Sequence, residues 1–327
     1  MSILAVIPCL NEINHIGVLL DQFLADPDIG LLVVADGGSS DGTREIVQQR
    51  AQVEGRLILL DNPARIQSAG INLAVARYGQ GYDWLLRIDA HCLYPGGYAA
   101  MLVAAAEEHG ASAIAVPMVT SAASGFQLAA ATAQNSVLGT GGSAHRHLGG
   151  GRFVEHGHHA LIRMDMFREL LGYCENMPCN EDAEFDYRQT SAGGRIWLEP
   201  KAAITYFPRK SPGALWRQYY RYGRGRAQTI QRHRMKPRLR QMVPLAAPLI
   251  VALLPLGFAH WIFSIPAFAW LVLCLAGGAL IGMRNGGGWA MLSGIAAAIM
   301  HLSWGCGFLA QWFGGSHRIA PKLGLSR

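Results

Sequence analysis

"DWLLRIDAH" (residues 83–91) sets a short apolar run against a polar end, Asp89-Ala90-His91. A buried strand ending in this way would present two potential ligands where it leaves the sheet. An Asp-x-Asp there would suggest a metal site for a nucleotide diphosphate; here the second Asp is replaced by His91. Two side chains at i and i+2 of an extended segment point to the same side. They can hold one face of a divalent ion and leave its other positions to phosphate oxygens and water. Taken alone, the same residues also read as a loop Asp and a solvated His.

The stretches before it decide that the run is a strand. "ILAVIP" (3–8), "GLLVVADGG" (30–38) and "RLILLDN" (56–62) are short apolar runs. Between them lie helical patterns: "EINHIGVLLDQFLA" with Ile16, Leu19, Leu20 and Phe23 on one face, "DGTREIVQQRA" with Asp41 as its cap, and "QSAGINLAVARY". Strand–helix alternation predicts a mostly parallel sheet with helices on both faces. Ligands of such sheets sit at the C-terminal ends of the strands. Asn11, Asp36, Asn62 and Asp89 all fall at such ends, which points to one shared crevice. The first run, "SILAVIPCL", has no basic region and reads as a strand rather than a signal peptide.

Further on, "ASAIAVPM" (111–118) and "GRIWLEP" (194–200) read as strands, "DMFRELLGY" and "NEDAEFDYRQTSA" as helices. Between them "GTGGSAHRHLGGGRFVEHGHH" (139–159) is too Gly-rich for a helix interior and reads as a functional loop. Its His145, His147, His156, His158 and His159 are either solvated or structural, or further ligands on the acceptor side.

Composition divides the chain. Apolar residues make up 51% and charged residues 15%, against roughly 25% charged in an ordinary soluble domain. All 22 acids and 13 of the 28 Lys/Arg fall in residues 1–208; residues 209–327 carry the other 15 basic residues and no acid. This is a soluble domain followed by a basic, apolar membrane part. Three apolar segments, 242–263, 265–283 and 289–313, approach bilayer length. Pro244, Pro248 and Pro255 make the first a candidate for a broken or re-entrant helix, so two or three spans are open. The Lys/Arg of 217–240 predict a cytoplasmic N-terminal domain. The six cysteines form no CxxC pair and read as small buried hydrophobes.

Three clusters carry candidate chemistry. Asp36 opens a Gly/Ser-rich turn where its carboxylate can accept hydrogen bonds from a base or sugar, or simply shape the turn. Asn180-Glu181-Asp182 begins a helix, as a cap or as a general base; Glu184 and Asp186 lie nearby, so spacing leaves the choice of base open. Gln218-Tyr219-Tyr220-Arg221-Tyr222 with Arg224 and Arg226 serves a membrane surface, a leaving diphosphate, or both. Nucleic acid fits poorly, because the patch abuts apolar spans.

Six stretches in this order, "IPCLNE" (7–12), "ADGGSSDGT" (35–43), "RIQSAGINLAVA" (65–76), "RIDAH" (87–91), "NED" (180–182) and "QYYRY" (218–222), resemble glycosyltransferase family 2, inverting enzymes of the GT-A fold. The "RIQSAGIN" and "RIDAH" variants are similar to its membrane-attached subgroup that builds bacterial exopolysaccharide such as succinoglycan. The resemblance implies a Rossmann-like GT-A domain over 1–210, an interfacial segment over 211–240, a membrane region over 241–315 with two to three helices, and a basic tail over 316–327. It implies that Pro8, Asn11 and Glu12 shape the nucleotide pocket and that Asp36 contacts uracil. Arg65 and Asn72 would lie near the nucleotide or diphosphate. Asp89 and His91 would hold the metal, Asp182 would be the base, and Gln218, Arg221 and Arg224 would meet diphosphate or acceptor. Tyr222 stands where the family motif has Trp, which argues against processivity, and Gly37 replaces a frequent second Asp. The implied reaction moves a sugar, glucose, from a UDP-sugar to a lipid-linked, polyprenyl-diphosphate saccharide at the bacterial inner membrane. Alternatives are a processive polysaccharide synthase and a non-catalytic scaffold. Because imidazole suits Mn²⁺ better than the oxygen-preferring Mg²⁺, His91 predicts a preference for Mn²⁺.

Overall fold

The computed structural model describes residues 2–142, 150–177, 179–237 and 239–314. His145, His147 and the basic tail with Arg318, Lys322 and Arg327 lie outside the described residues. The chain forms two units, Met1–Met118 with Leu148–Thr205, and Val119–His147 with Tyr206–Arg327.

The first unit is built on an eight-stranded sheet. Its strands are β1 (Ile3–Cys9), β2 (Ile29–Asp36), β3 (Leu57–Asp61), β4 (Trp84–Arg87), β6 (Ala113–Val116), β8 (Arg152–Val154), β9 (His158–Arg163) and β10 (Ile196–Leu198), in the order β3-β2-β1-β4-β9-β6-β10-β8. Short strands β5 (Cys92–Leu93), β7 (Met118–Thr120) and β11 (Ile204–Tyr206) lie outside it. β3, β2, β1 and β4 run parallel as the alternation predicts. Helices α1 (Ile13–Leu24), α2 (Thr43–Ala51) and α3 (Gln67–Tyr78) make the crossovers, followed by α4 (Tyr98–His109). Ile16, Leu19, Leu20 and Phe23 of α1 are buried, the face that the sequence spacing assigns to the core.

The register aligns the strand ends. Cys9 pairs with Asp36 and Asp36 with Asp61. The ladder then continues into the loops: Gly37 N–H donates to Cys9 O at 2.9 Å and Asn62 N–H to Asp36 O at 2.8 Å. β4 pairs with β1 only as far as Val6–Arg87. Ile88 N–H still donates to Val6 O at 3.0 Å, and the next ladder bond would need the N–H that Pro8 lacks, so this pairing ends there.

The structure departs from the sequence reading in the second half of the sheet. β9 enters antiparallel between β4 and β6, and β8 closes the edge antiparallel to β10. Part of the Gly/His-rich 139–159 stretch is thus strand. A run such as His158–Arg163 is too short for periodicity to reveal. Helices α7 (Met164–Glu169) and α8 (Glu181–Ser191) complete the unit.

The second unit is helical: α5 (Gly125–Gln134), α6 (Val137–Thr140), α9 (Pro212–His233), α10 (Leu239–Ala252), α11 (Ile265–Arg284) and α12 (Ser293–Gly314). Glycines let its helices touch backbone to backbone. A Cβ on Gly307 would fall well inside contact distance of Tyr220 O, one on Gly223 of Trp304 O, and one on Gly278 of Gly294 N. Small residues at crossings are how apolar helices pack when no water-driven force separates core from surface. Two stretches, Trp261–Arg284 and Gly288–Gly314, are long and apolar enough to cross a membrane. The first candidate span of the sequence reading is instead the shorter α10, with Pro244 and Pro248 inside it, followed by 3₁₀ turns over Leu254–Phe258 and Trp261–Ser264. Proline removes a helical donor and clashes with the preceding turn, which breaks this segment.

Candidate active site

The parallel strands bring Asn62, Asp36, Asn11 and Asp89 to one edge of the sheet, in the order of their strands. At its centre Asp36 is 1% exposed. Its carboxylate accepts from Gly38 N (2.8 Å), Ser39 N (3.0 Å), Ser39 Oγ and Arg44 Nη1 (2.6 Å). Four donors fill the lone-pair sites of a carboxylate. Burial opposes its ionisation, but Ser39 and Arg44 hold its pKa below the usual range. Asp36 thus organises the turn, and a base N–H reaching it would have to displace one of these donors. Arg44 also pairs with Asp61 at 2.7 Å.

The neighbouring loops are tied to this turn. Asn11 donates its N–H to Ser39 Oγ (2.8 Å) and accepts from Ser40 N (2.9 Å). Asp41, the expected helix cap, accepts from Thr43 N at 3.1 Å and from Ile13 N at 3.1 Å, so it tethers the starts of two helices. Asn11, Arg65 and Asn180 all adopt left-handed backbone, with φ of 57°, 56° and 60°. Such conformations concentrate at functional loops, where the surrounding bonds hold them. The Arg65 guanidinium lies beside Gly38, and the residue is exposed. Asn72 is tied to the chain that follows α7. It accepts from Tyr173 N (2.9 Å) and donates to Tyr173 O (2.8 Å) and Glu175 (2.9 Å).

Beyond β4 the chain does not stay extended. The strand ends at Arg87, residues 90–91 form a turn, and Cys92 N–H donates to Asp89 O at 3.3 Å. The strand-end geometry inferred for Asp89 and His91 is therefore replaced by a turn. It puts Asp89 inside, 9% exposed, and leaves the His91 side chain 40% exposed. Tyr94 clips the turn, its hydroxyl accepting from Asp89 N at 2.6 Å. Asp89 Oδ1 accepts from Gln67 Nε2 at 2.9 Å and lies 3.4 Å from Arg87 Nε. Its Oδ2 lies 3.4 Å from His158 Nε2. Burial would raise its pKa, yet Arg87, His158 and His91 hold the carboxyl well below the carboxylate range. Burial pushes His158 down to about 4, against the pull of Asp89. Glu12 stands between His15 (2.9 Å) and His91 (3.7 Å).

Among the described residues no three His, Cys, Asp or Glu cluster to hold a metal ion by themselves. Asp89 and His91 supply an oxygen and a nitrogen donor. That set fits an ion whose remaining positions come from diphosphate oxygens and water, the usual arrangement where a cation serves a phosphate substrate.

The third wall is α8, which opens with four acids. Arg188 locks Glu184, its Nη2 2.7 Å from Oε2 and its Nη1 donating to Leu170 O. Asp186 is enclosed by His156 Nδ1 (2.7 Å), Gly157 N (3.2 Å) and His159 Nε2 (2.6 Å). Glu181, 7% exposed, lies 3.3 Å from Arg87 Nη1, an ion pair that falls short of hydrogen-bond geometry. Burial raises the Glu181 pKa against the pull of Arg87. Asp182 is the partly exposed member, and it accepts from Ala183 N at 2.7 Å in its own helix turn. Burial opposes its ionisation, but His156, His159 and Arg87 together hold it below the usual range.

Arg87 joins the walls. It is 6% exposed, faces Asp89 and Glu181, and lies 5.8 Å from the Tyr173 ring centre. Arg87, Gln67 and Tyr173 are not among the sequence-predicted site residues, and the two histidines on Asp186 had no assigned role there. The available signal was an Arg in an otherwise apolar strand, which needs acidic partners if it is buried.

Gln218, Arg221 and Arg224 lie on α9 in the helical unit. Gln218 Nε2 donates to Tyr206 (2.9 Å) and Tyr222 (3.0 Å), so Tyr222 orients it. Arg221 is exposed, and Arg224 donates to Gln311 at 3.3 Å.

Residues 4–171 match the family described as Glycosyl transferase family 2. The chain is 45% identical over 322 residues to the Succinoglycan biosynthesis protein ExoA of Rhizobium meliloti (strain 1021), covering 98% of this chain and 97% of that protein. Its fold is similar to that of the mannosyltransferase PcManGT from Pyrobaculum calidifontis, solved with GDP-Man and Mn²⁺ (TM-score 0.65, 16% identity, 96% of this chain and 88% of that one). With a GT-A sheet, acids along its strand ends and a family match over half its length, the chain belongs to glycosyl transferase family 2.

Proposed function

We propose that the protein is an inverting, metal-dependent hexosyltransferase that moves glucose from a UDP-sugar to a lipid-linked saccharide at the cytoplasmic membrane face, in exopolysaccharide biosynthesis. The observation that carries this reading is the state of the four α8 acids. Three are locked in buried pairs, and Asp182 alone is partly exposed at the helix N-terminus. The 45% identity to a succinoglycan biosynthesis protein supports the product class.

Asp182 takes the proton of the acceptor hydroxyl, whose oxygen attacks the anomeric carbon from the face opposite the diphosphate. A new C–O bond forms as the bond to the diphosphate breaks with its electron pair. Asp89 and His91 would hold a divalent ion, Mn²⁺ in preference to Mg²⁺, which supplies charge neutralisation at the leaving diphosphate. Asn11, Glu12, Pro8 and the Asp36 turn frame the nucleotide, and exposed Arg65 offers a guanidinium to it. Asn72 supports the pocket through Tyr173. On α9, Arg217, Arg221 and Arg224 are exposed at i, i+4 and i+7 and form one basic stripe. With the two apolar helices they suit an acidic membrane surface and a diphosphate-linked acceptor.

A screen of nucleotide sugars for nucleotide release, with Mn²⁺ and with chelator, tests this directly. UDP-glucose should be turned over fastest and chelator should abolish release. Preference for a GDP-sugar would overturn the donor, and silence with every donor would overturn the enzyme reading.

A further inference from the structure

Arg87 is the last residue of β4, a strand flanked by β1 and β9 inside the sheet. Its backbone pairs with Val6 of β1, so the side chain starts from a rigid mount. From there the guanidinium meets one acid close in the chain and one far away. Nε donates to Asp89 Oδ1 at 3.4 Å, and Nη1 lies 3.3 Å from Glu181 Oε1 at the start of α8. The Tyr173 ring centre is 5.8 Å away. The Tyr173 hydroxyl meets His159 Nδ1 at 2.7 Å, and His159 Nε2 meets Asp186 Oδ1 at 2.6 Å. This buried set grips α8 at its first turn and again at its second.

Stability alone is a poor account of an arginine here. Buried ion pairs exchanged for apolar residues are often neutral or more stable. Arg87 is 6% exposed, and its Nη1 has no hydrogen-bond partner among the described residues. A pair built for stability would satisfy every donor. What a guanidinium supplies is spacing, because its planar fork carries Nε and Nη1 at a fixed separation that a lysine lacks.

We infer that Arg87 is a positioning residue, which sets the start of α8, and with it Asp182, at a fixed place relative to Asp89. The inference rests on the glycosyl-transfer reading above, in which Asp89 serves the diphosphate and Asp182 the acceptor. Glu181 and Asp182 are the first two residues of α8. Successive helical residues are related by a fixed rotation, so holding Glu181 fixes the direction in which Asp182 points. Displacement at the anomeric carbon needs the attacking oxygen and the departing diphosphate aligned, and a misplacement of about 1 Å costs on the order of 10²-fold. Asp89 keeps other holds when Arg87 is altered: Gln67 Nε2 at 2.9 Å from Oδ1, His158 Nε2 at 3.4 Å from Oδ2, and Tyr94 on its backbone. A change at Arg87 therefore falls on the base side and spares the donor side, which separates kcat from KM.

The test uses the full chain and the nucleotide sugar that the unmodified protein turns over fastest in the screen above. Nucleotide binding by calorimetry is the second readout and counts the folded molecules. Arg87→Lys keeps the charge and loses the fork. Per nucleotide-binding molecule its kcat should fall on the order of 10²-fold, with donor KM and nucleotide Kd changed by less than about threefold. Glu181→Gln removes the charge at the other end of the same link and should lower kcat by a similar factor. The double variant should be no slower than the slower single one, because both break one contact. Arg87→Lys with kcat within about threefold of normal overturns the inference. So does a loss of activity that only tracks the fraction of protein still binding nucleotide, or two single effects that multiply in the double variant. If Arg87→Lys fails to fold, Glu181→Gln decides, and normal kcat in that variant sinks the role. Asp182→Asn at near-normal rate overturns the base assignment beneath it, and a silent screen with the unmodified protein overturns both.

Discussion

The two units bury polarity by opposite means. In the sheet unit the site interior is ionic: Arg87, Asp89, Glu181, Asp186 and His159 are all buried, and each faces at least one group of opposite charge, with His158 beside Asp89. All 22 acids of the chain belong to this unit. The helical unit contains no acid, and its helices meet through glycines whose missing side chains let backbones touch. The first arrangement is sensitive to loss of a charge partner, because a buried ion left alone is strongly disfavoured. The second is sensitive to added volume, because a close helix crossing has no room to yield.

This contrast can be broken or sharpened by substitution. The largest effect should come from Asp182→Asn, which removes the open acid and leaves the locked ones in place. Nucleotide release should fall roughly 10²–10⁴-fold while nucleotide binding, measured by calorimetry, persists. Near-normal release would show that another acid serves. Next, Arg87→Met strands Asp89 and Glu181, so the sheet unit should lose about 3–5 kcal/mol in denaturant unfolding. A loss below about 1 kcal/mol would mean that water reaches these acids. Gly307→Ala touches only the helical unit and should cost about 1–3 kcal/mol in detergent, read as a lowered Tm, with no change in nucleotide affinity.

Acid should separate the units without mutation. The folded-state pKa of Asp186 is about 2, below the 3.8 of an unperturbed Asp, chiefly because His159 and His156 outweigh burial. Its contribution is therefore fully present above about pH 4 and is lost as pH falls toward about 2. It amounts to about 2 kcal/mol. Hydrogen exchange at about pH 3 should show the sheet unit opening while α12 stays protected; the reverse order would refute the ionic account. The smallest effect concerns the metal. His91→Asp replaces a nitrogen donor with oxygen and should narrow the Mn²⁺ over Mg²⁺ activity ratio. Equal activity with both metals before substitution would remove His91 from the ligand set.

The first four strands were legible because each carries its own evidence, an apolar run of strand length with a polar residue at its end. The face of α1 was legible for the same reason, since Ile16, Leu19, Leu20 and Phe23 recur at helical spacing. β9 was not, because "HHALIR" follows a Gly-rich stretch and is too short to show a period. Its antiparallel insertion brings His158 and His159 to the acids, which no local pattern records. The sequence ends the sheet domain at residue 210 and places everything before it in that domain. The helical unit also takes Val119–His147, an acid-free stretch whose α5 and α6 pack with α12.

Composition and local order by themselves determined the parallel half of the sheet, the edge on which its polar ends gather, the apolar helices, and the acid-rich start of the helix after Asn180, within which the choice of Asp182 rested on the family resemblance. These are properties of short windows, where periodicity and propensity act. Only the tertiary structure decided which acids are open. Arg188 closes Glu184, two histidines close Asp186, Arg87 joins Asp89 to Glu181, and Asn72 reaches Tyr173 from 101 residues away. The reactivity of a carboxylate depends on burial and on the charges folded around it, and those neighbours come from distant parts of the chain.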